Sequence, residues 1–142
     1  MYIVYYIGRK MRYKMKGKYI DIQNEVIQKY RIKINTDSQC RRRMHCHVKQ
    51  RMICKWKQVN SIQCTFDLFH EIGHAETTKA GMRRAEAEYY ATIWAIERFK
   101  EYGLEVPKKT LDVYQRYIDM TVRRGVRRGG TGYGELKLIQ YK

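Results

Sequence analysis

The pentapeptide from His70 to His74 restricts the fold more than any other feature of the sequence. It reads His-Glu-Ile-Gly-His, and the apolar spacing over residues 66–76 predicts that it lies on a helix. Residues at i and i+4 share one helical face, so His70 and His74 can bind one zinc ion while Glu71 reaches a metal-bound water. Zinc lowers the pKa of that water toward neutrality, and Glu71 can take its proton. Glycine at position 73 costs about 1 kcal/mol relative to alanine, which predicts close packing there.

A zinc site of this kind needs a third protein ligand, which we expect on the next helix, predicted over residues 82–102. At about 100° per residue, Glu86 lies centrally on the apolar face of that helix, and Glu88 points to solvent. A carboxylate on an apolar face is costly unless it is paired or binds a metal, so Glu86 is the predicted ligand. Glu97 shares this face and is the alternative, as a ligand or as a partner that orients a histidine.

These residues resemble the ImmA/IrrE group of metallopeptidase-like proteins, which are common in phages and mobile elements. The pattern of that family is H-E-x-x-H on one helix and, on the next, a glutamate followed by Ala, a polar residue, any residue, an aromatic residue and Ala. Residues 86–91 of this chain read Glu-Ala-Glu-Tyr-Tyr-Ala. The resemblance covers about residues 64–102 and extends more loosely to a strand region before them, and small phage-encoded members are the most similar.

The resemblance implies a zinc-dependent endopeptidase with a zincin-like fold. Carried over to this sequence, the zinc ligands are His70, His74 and Glu86, and Glu71 is the general base. The family's target is often a repressor, so the implied partner is a regulatory protein that is cleaved. The segment from His74 to Glu86 is shorter than is usual in the family, which leaves Glu97 as the rival ligand.

Basic residues are concentrated at the two ends of the chain. Lys and Arg number 30 against 14 Asp and Glu, which gives a net charge of +16. Residues 1–60 carry a net charge of +13, residues 61–112 carry −2, and residues 113–142 carry +5. Such ends attract polyanions. The candidate polyanion-binding residues are Arg41, Arg42, Arg43, Arg123, Arg124, Arg127 and Arg128.

This charge supports an alternative function. The chain would then be a phage regulator or anti-defence protein that binds nucleic acid or a ribonucleoprotein, with a structural or vestigial zinc site. A membrane partner is not expected, because the apolar start spans only residues 1–7, whereas a membrane-spanning helix needs about 20 residues. These first residues also lack the basic region and cleavage site of a signal peptide, so we expect a cytoplasmic protein, in the host cell if phage-encoded.

The cysteines are expected to be free thiols, because a chain without an export signal is not expected to form disulfides. They are Cys40, Cys46, Cys54 and Cys64. The first three, with His47, form a weak candidate for a second, structural zinc site, since the spacing contains no C-x-x-C element. His45 and His47 alternate on a predicted strand, and we expect them to face solvent or a polyanion.

The sequence therefore predicts a single α+β domain over residues 1–142. A short antiparallel or mixed sheet is expected from the basic part, 1–60, and three helices from the zinc-site part, 61–124. A Gly/Arg-rich tail, 125–142, follows with a short strand. Strands are predicted over 2–7, 11–22, 31–35 and 44–56, a short helix over 24–30, and the three main helices over 66–76, 82–102 and 110–124.

Overall fold

The computed structural model describes residues 17–36 and 44–138. Within these ranges the chain forms four helices and three short strands. In chain order they are α1 (Lys18–Lys29), β1 (Lys33–Asn35), β2 (His45–His47), β3 (Met52–Cys54), α2 (Ile62–Thr77), α3 (Arg84–Glu101) and α4 (Lys108–Arg127). β3 is the central strand, parallel to β1 and antiparallel to β2. The α+β class and the small mixed sheet are thus confirmed.

The first described helix, α1, corrects the strand predicted over 11–22 for residues 18–22, and residues 11–16 of that prediction lie outside the described residues. The buried side chains of α1 are Ile20, Gln23, Val26 and Ile27, a helical spacing rather than an alternating one. The start of α1 is held by a distant residue, because the side-chain oxygen of Asn60 accepts hydrogen bonds from the backbone amides of Tyr19 and Ile20. The strand predicted over 2–7 lies outside the described residues.

Of the three main helices, α2 and α4 begin earlier than predicted, and α3 begins two residues later than predicted. Ser61 is the N-cap of α2, and its side-chain oxygen accepts a hydrogen bond of 3.1 Å from the backbone amide of Cys64. α4 was predicted from residue 110, but the helix starts after Pro107, and the Thr110 hydroxyl donates a hydrogen bond to the side chain of Gln63 at 2.6 Å. α3 ends before Gly103, which has the left-handed φ of +68° expected of a helix cap.

The core lies between α2 and α3. Three fully buried phenylalanines, Phe66, Phe69 and Phe99, meet edge to face with ring centroids 5.1 Å apart. The two helices approach each other closely at Gly73, where a Cβ atom would lie 2.5 Å from the backbone oxygen of Ala91. The close packing predicted at Gly73 is confirmed, because another residue there would push α3 away.

The tail after α4 folds back onto the helices. The Leu138 side chain is buried, and its backbone amide donates to the side chain of Gln115 at 2.7 Å. The Arg83 guanidinium lies 3.8 Å from the centroid of the Tyr133 ring. The described part of the tail, up to residue 138, contains no strand, and residues 139–141 of the strand predicted over 136–141 lie outside the described ranges. Among the described helices, none has the length and apolar character needed to cross a membrane.

Candidate metal centre

The His-Glu-Ile-Gly-His segment lies on α2 and faces α3. His70 and Glu71 are buried, and His74 is half-buried. The Nε2 atoms of the two histidines are 3.1 Å apart, and their rings meet edge to face with centroids 4.7 Å apart. The two imidazoles therefore converge through the nitrogen atoms that would bind a metal.

The third group beside the two imidazoles is the carboxylate of Glu88 on α3, a residue that is only 5% exposed. Its Oε1 lies 3.1 Å from His70 Nε2, and its Oε2 lies 3.2 Å from His74 Nε2. Ligand atoms around a tetrahedral zinc ion, at bond lengths of 2.0–2.1 Å, are about 3.3 Å apart. Two imidazoles and one carboxylate are thus placed at the spacing of a zinc ligand set.

The structure corrects both glutamates that the sequence favoured as the third ligand. Glu86 lies in the first turn of α3, where its carboxylate accepts hydrogen bonds from the backbone amide and side chain of Arg83, and its side chain is 30% exposed. Glu97 is further along α3, 59% exposed, with Arg98 as its ion-pair partner. Glu88, which was expected to point to solvent, faces α2 instead.

The error arose from judging the buried face of α3 by its large side chains. Tyr90 is 47% exposed, whereas the face toward α2 consists mostly of small residues. This buried stripe is Ala85, Glu88, Thr92, Ala95 and Phe99. Small side chains are what a close helix approach requires, so the alanines were the informative signal.

Electrostatics within the site favour an ionised Glu88 beside a less acidic Glu71. Burial alone would raise the pKa of Glu88, but hydrogen bonds from His70 and His74 outweigh it and hold that pKa well below its usual range. Burial raises the pKa of the Glu71 carboxyl, and the two histidines only partly offset this. The pKa of His74 is lowered by burial and raised more strongly by Glu88, so the net change is upward.

Thr92 is a site residue that the sequence reasoning missed. Its hydroxyl donates to the backbone oxygen of Glu88 at 2.7 Å, so its oxygen is left to accept from Nδ1 of His70 at 3.1 Å. A proton on Nδ1 leaves Nε2 with the lone pair that a metal ion needs. The signal was Thr92 lying one turn after Glu88 on the same face.

α4 covers the other side of the site. The ring of Tyr114 lies 4.7 Å from the ring of His70. Arg84 donates from Nε to Glu88 Oε2 at 3.2 Å and from Nη2 to the Tyr117 hydroxyl at 2.7 Å. The Glu88 carboxylate is therefore held by the histidines of α2 and by Arg84 of its own helix, and α4 holds Arg84 in place.

The predicted polyanion-binding arginines divide into two groups. Arg41, Arg42 and Arg43 lie outside the described residues. The other four are exposed at the C-terminal end of α4 and just after it; they are Arg123, Arg124, Arg127 and Arg128. The structure thus brings these four guanidinium groups to one region of the surface.

Comparisons with known proteins give no match: no protein family, no curated protein and no solved structure is significantly similar to this chain. The resemblance to the ImmA/IrrE group consequently stays a prediction that rests on the motif residues.

Proposed function

We propose that this chain is a zinc-dependent metallopeptidase in which His70, His74 and Glu88 bind zinc and Glu71 is the general base. The observation that carries the proposal is the convergence of two Nε2 atoms, 3.1 Å apart, on the Glu88 carboxylate, whose Oε1 lies 3.1 Å from His70 Nε2 and whose Oε2 lies 3.2 Å from His74 Nε2. Nitrogen and carboxylate oxygen donors suit zinc, and three protein ligands are the number found in catalytic rather than structural sites.

Glu71 supports a catalytic rather than a purely structural site. Its carboxylate lies with the ligand nitrogens of His70 and His74 in a group whose donor atoms are all within 4.8 Å of one another. A bound zinc ion would supply Lewis acidity and a water of lowered pKa. Glu71 would be placed to take a proton from that water and to pass it to the leaving amine, and burial raises the pKa of its carboxyl above the usual value, which favours the donating step. A structural zinc site does not require a proton acceptor beside the metal, so the position of Glu71 favours a catalytic site.

The edge of the sheet offers a place for a peptide substrate. Among the described strands β2 pairs only with β3, and the proposal places the substrate as a further strand on its outer edge. Cys46 of β2 contacts α2, because its thiol interacts with the backbone of Ala75 and with the charge of Glu71. An extended peptide added to β2 would therefore lie beside the candidate metal centre. The proposed substrate is a regulatory protein, such as a repressor, in the host-cell cytoplasm.

The test compares three glutamine variants of the full chain. Glu71→Gln should keep zinc and lose roughly 10²–10⁴-fold in the rate of cleaving a synthetic peptide library, measured by mass spectrometry. Glu88→Gln should lose both zinc and cleavage. Glu86→Gln is the matched control, two residues away on the same helix, and should resemble the wild type in both.

Two outcomes would overturn the proposal. One is that the wild type and the His74→Ala variant contain the same amount of zinc, which would mean that His70 and His74 bind none. The other is a Glu71→Gln variant that cleaves as fast as the wild type. Full zinc content in Glu88→Gln with loss of zinc in Glu86→Gln would restore the original ligand assignment.

A second candidate function, binding of nucleic acid or a ribonucleoprotein, is favoured by the four exposed arginines at the end of α4. This function predicts affinity for a random RNA or DNA oligonucleotide that falls steeply with salt. Changing the four arginines together to glutamine should weaken binding and reduce the salt slope, while Glu71→Gln should leave binding unchanged. Binding that is insensitive to the four arginines would contradict it. The variant carries Arg123→Gln, Arg124→Gln, Arg127→Gln and Arg128→Gln.

A further inference from the structure

A second cluster of metal-binding side chains lies on the sheet. In the antiparallel pair of β2 and β3, His45 is directly opposite Cys54, and His47 is opposite Met52. Residues two apart on a strand share a face, and so do directly opposed residues on neighbouring strands. His45, His47 and Cys54 therefore lie on one face of the sheet. Their nitrogen and sulfur donor atoms are all within 4.8 Å of one another.

The two histidines of this cluster repeat the geometry of the pair on α2. His45 Nε2 and His47 Nε2 are 3.1 Å apart, their ring centroids are 4.8 Å apart, and their planes cross at 76°. The corresponding values for His70 and His74 are 3.1 Å, 4.7 Å and 86°. In a linear N–H···N hydrogen bond the two ring centroids lie on the line through the two nitrogen atoms. They are then farther apart than in two rings whose nitrogen atoms both point at a third position. Both pairs converge.

The donor set has a clear preference among metals. One thiol and two imidazoles form a soft nitrogen and sulfur set, which selects zinc over magnesium or calcium. Cys54 is buried, and the side-chain amide of Asn35 donates to its sulfur at 3.6 Å. Hydrogen bonds of this kind to sulfur are common around metal-bound thiolates, where they stabilise the charge.

We infer that His45, His47 and Cys54 form a second zinc site, separate from the centre between α2 and α3. Cys46, between the two histidines, faces α2, so strand alternation puts the second site on the opposite face of β2. A metal ion there joins β2 to β3. Strands of three residues are weakly held by their own hydrogen bonds, so this cross-link stabilises the edge strand next to the first centre. His45 and His47, expected to face solvent or a polyanion, thus have a specific role.

Cobalt(II) distinguishes the two sites. The centre between α2 and α3 contains no sulfur donor, so a thiolate-to-cobalt charge-transfer band in the near ultraviolet reports the second site alone. The full chain, stripped of metal and titrated with cobalt, should show this band and take up two equivalents. Cys54→Ser should abolish the band. Cys46→Ser is the matched control on the neighbouring strand and should retain it.

Zinc content provides the second measurement. His47→Asn, at an exposed position, should lower the affinity for one of two zinc equivalents by more than about 100-fold. His74→Ala should remove the other equivalent and keep the cobalt–thiolate band. The His47 variant keeps the inference testable if Cys54→Ser does not fold.

The inference would be overturned by a wild-type chain with no thiolate band, or by a band that survives Cys54→Ser. It would also be overturned if His47→Asn bound both equivalents as tightly as the wild type. Each of these results leaves the proposed peptidase site untouched, whereas a missing His74-dependent equivalent would contradict the peptidase and leave the second site standing.

Discussion

Replacing Gly73 with alanine tests whether the approach of α2 to α3 builds the candidate metal centre. The added Cβ would lie 2.5 Å from the backbone oxygen of Ala91 and 3.0 Å from its Cα, against 3.4–4 Å for ordinary contact. Both are backbone atoms, so relief requires α3 to move by about 1 Å. Overpacking of this kind costs about 1–3 kcal/mol, of which about 1 kcal/mol is returned by the higher helix propensity of alanine. We expect the free energy of unfolding to fall by up to about 2 kcal/mol.

The same movement should weaken zinc binding. Ala91 precedes Thr92 and follows Glu88 by three residues, so a displaced α3 carries both away from the histidines of α2. We expect zinc affinity, measured by competition with a chromophoric chelator, to fall about 10–100-fold. Urea unfolding in the presence of a chelator gives the stability change separately.

Gly125→Ala on α4 is the matched control. Its Cβ would meet the hydroxyl of Tyr133, the end of a flexible side chain, rather than backbone. It should therefore leave zinc affinity unchanged. The free energy of unfolding should rise by most of the roughly 1 kcal/mol that alanine gains over glycine in a helix. If Gly73→Ala also stabilises the fold and keeps wild-type zinc affinity, the close approach is not what positions Glu88.

Three further changes test neighbouring parts of the structure. Thr92→Val should lower zinc affinity about 10–100-fold because it removes the acceptor for the Nδ1 proton of the first histidine, whereas Thr92→Ser should restore it in the same chelator competition. Burial, together with a hydrogen bond to Glu25, raises the pKa of Tyr102 above its usual 10.0. The protonated Tyr102 hydroxyl therefore stabilises the fold fully below pH 10, and this stabilisation is lost as the pH rises further. In urea unfolding, Tyr102→Phe should be less stable than the wild type at pH 7, and its stability should fall less at alkaline pH. Ser61→Ala should cost about 0.5–2 kcal/mol, measured by thermal unfolding, because the N-cap acceptor of α2 is lost.

The sequence predicted α2 and its motif well because the relevant information is local. The spacing of His70, Glu71 and His74 depends only on helix geometry. Gly73 predicted close packing against α2 but did not indicate which element packs there. The third ligand depended on which face of α3 meets α2, and this is a tertiary property. Hydrophobicity favoured the face with Tyr90, whereas packing against Gly73 required small residues.

The same distinction explains the first part of the chain. α1 was misread because its start depends on Asn60, some forty residues away in sequence, and local alternation could not reveal that capping. The cluster of His45, His47 and Cys54 was missed for a similar reason. Metal-ligand motifs such as C-x-x-C depend on residues close together in sequence, whereas Cys54 lies beside the two histidines because of strand pairing.

The burial of Glu88 is what separates a metal centre from an ordinary helix contact. A buried carboxylate and two imidazoles are an expensive way to join two helices, because apolar residues of similar volume hold such an interface equally well or better. Removing one member takes a hydrogen-bonding contact from each of the other two in a buried site, so the cluster makes the interface fragile as well as costly. Zinc changes this balance, since its ligands must be close together, deprotonated and fixed in orientation. Thr92, Arg84 and the glycine of α2 each supply one of these conditions, which is why a geometry unfavourable for packing alone favours a metal site.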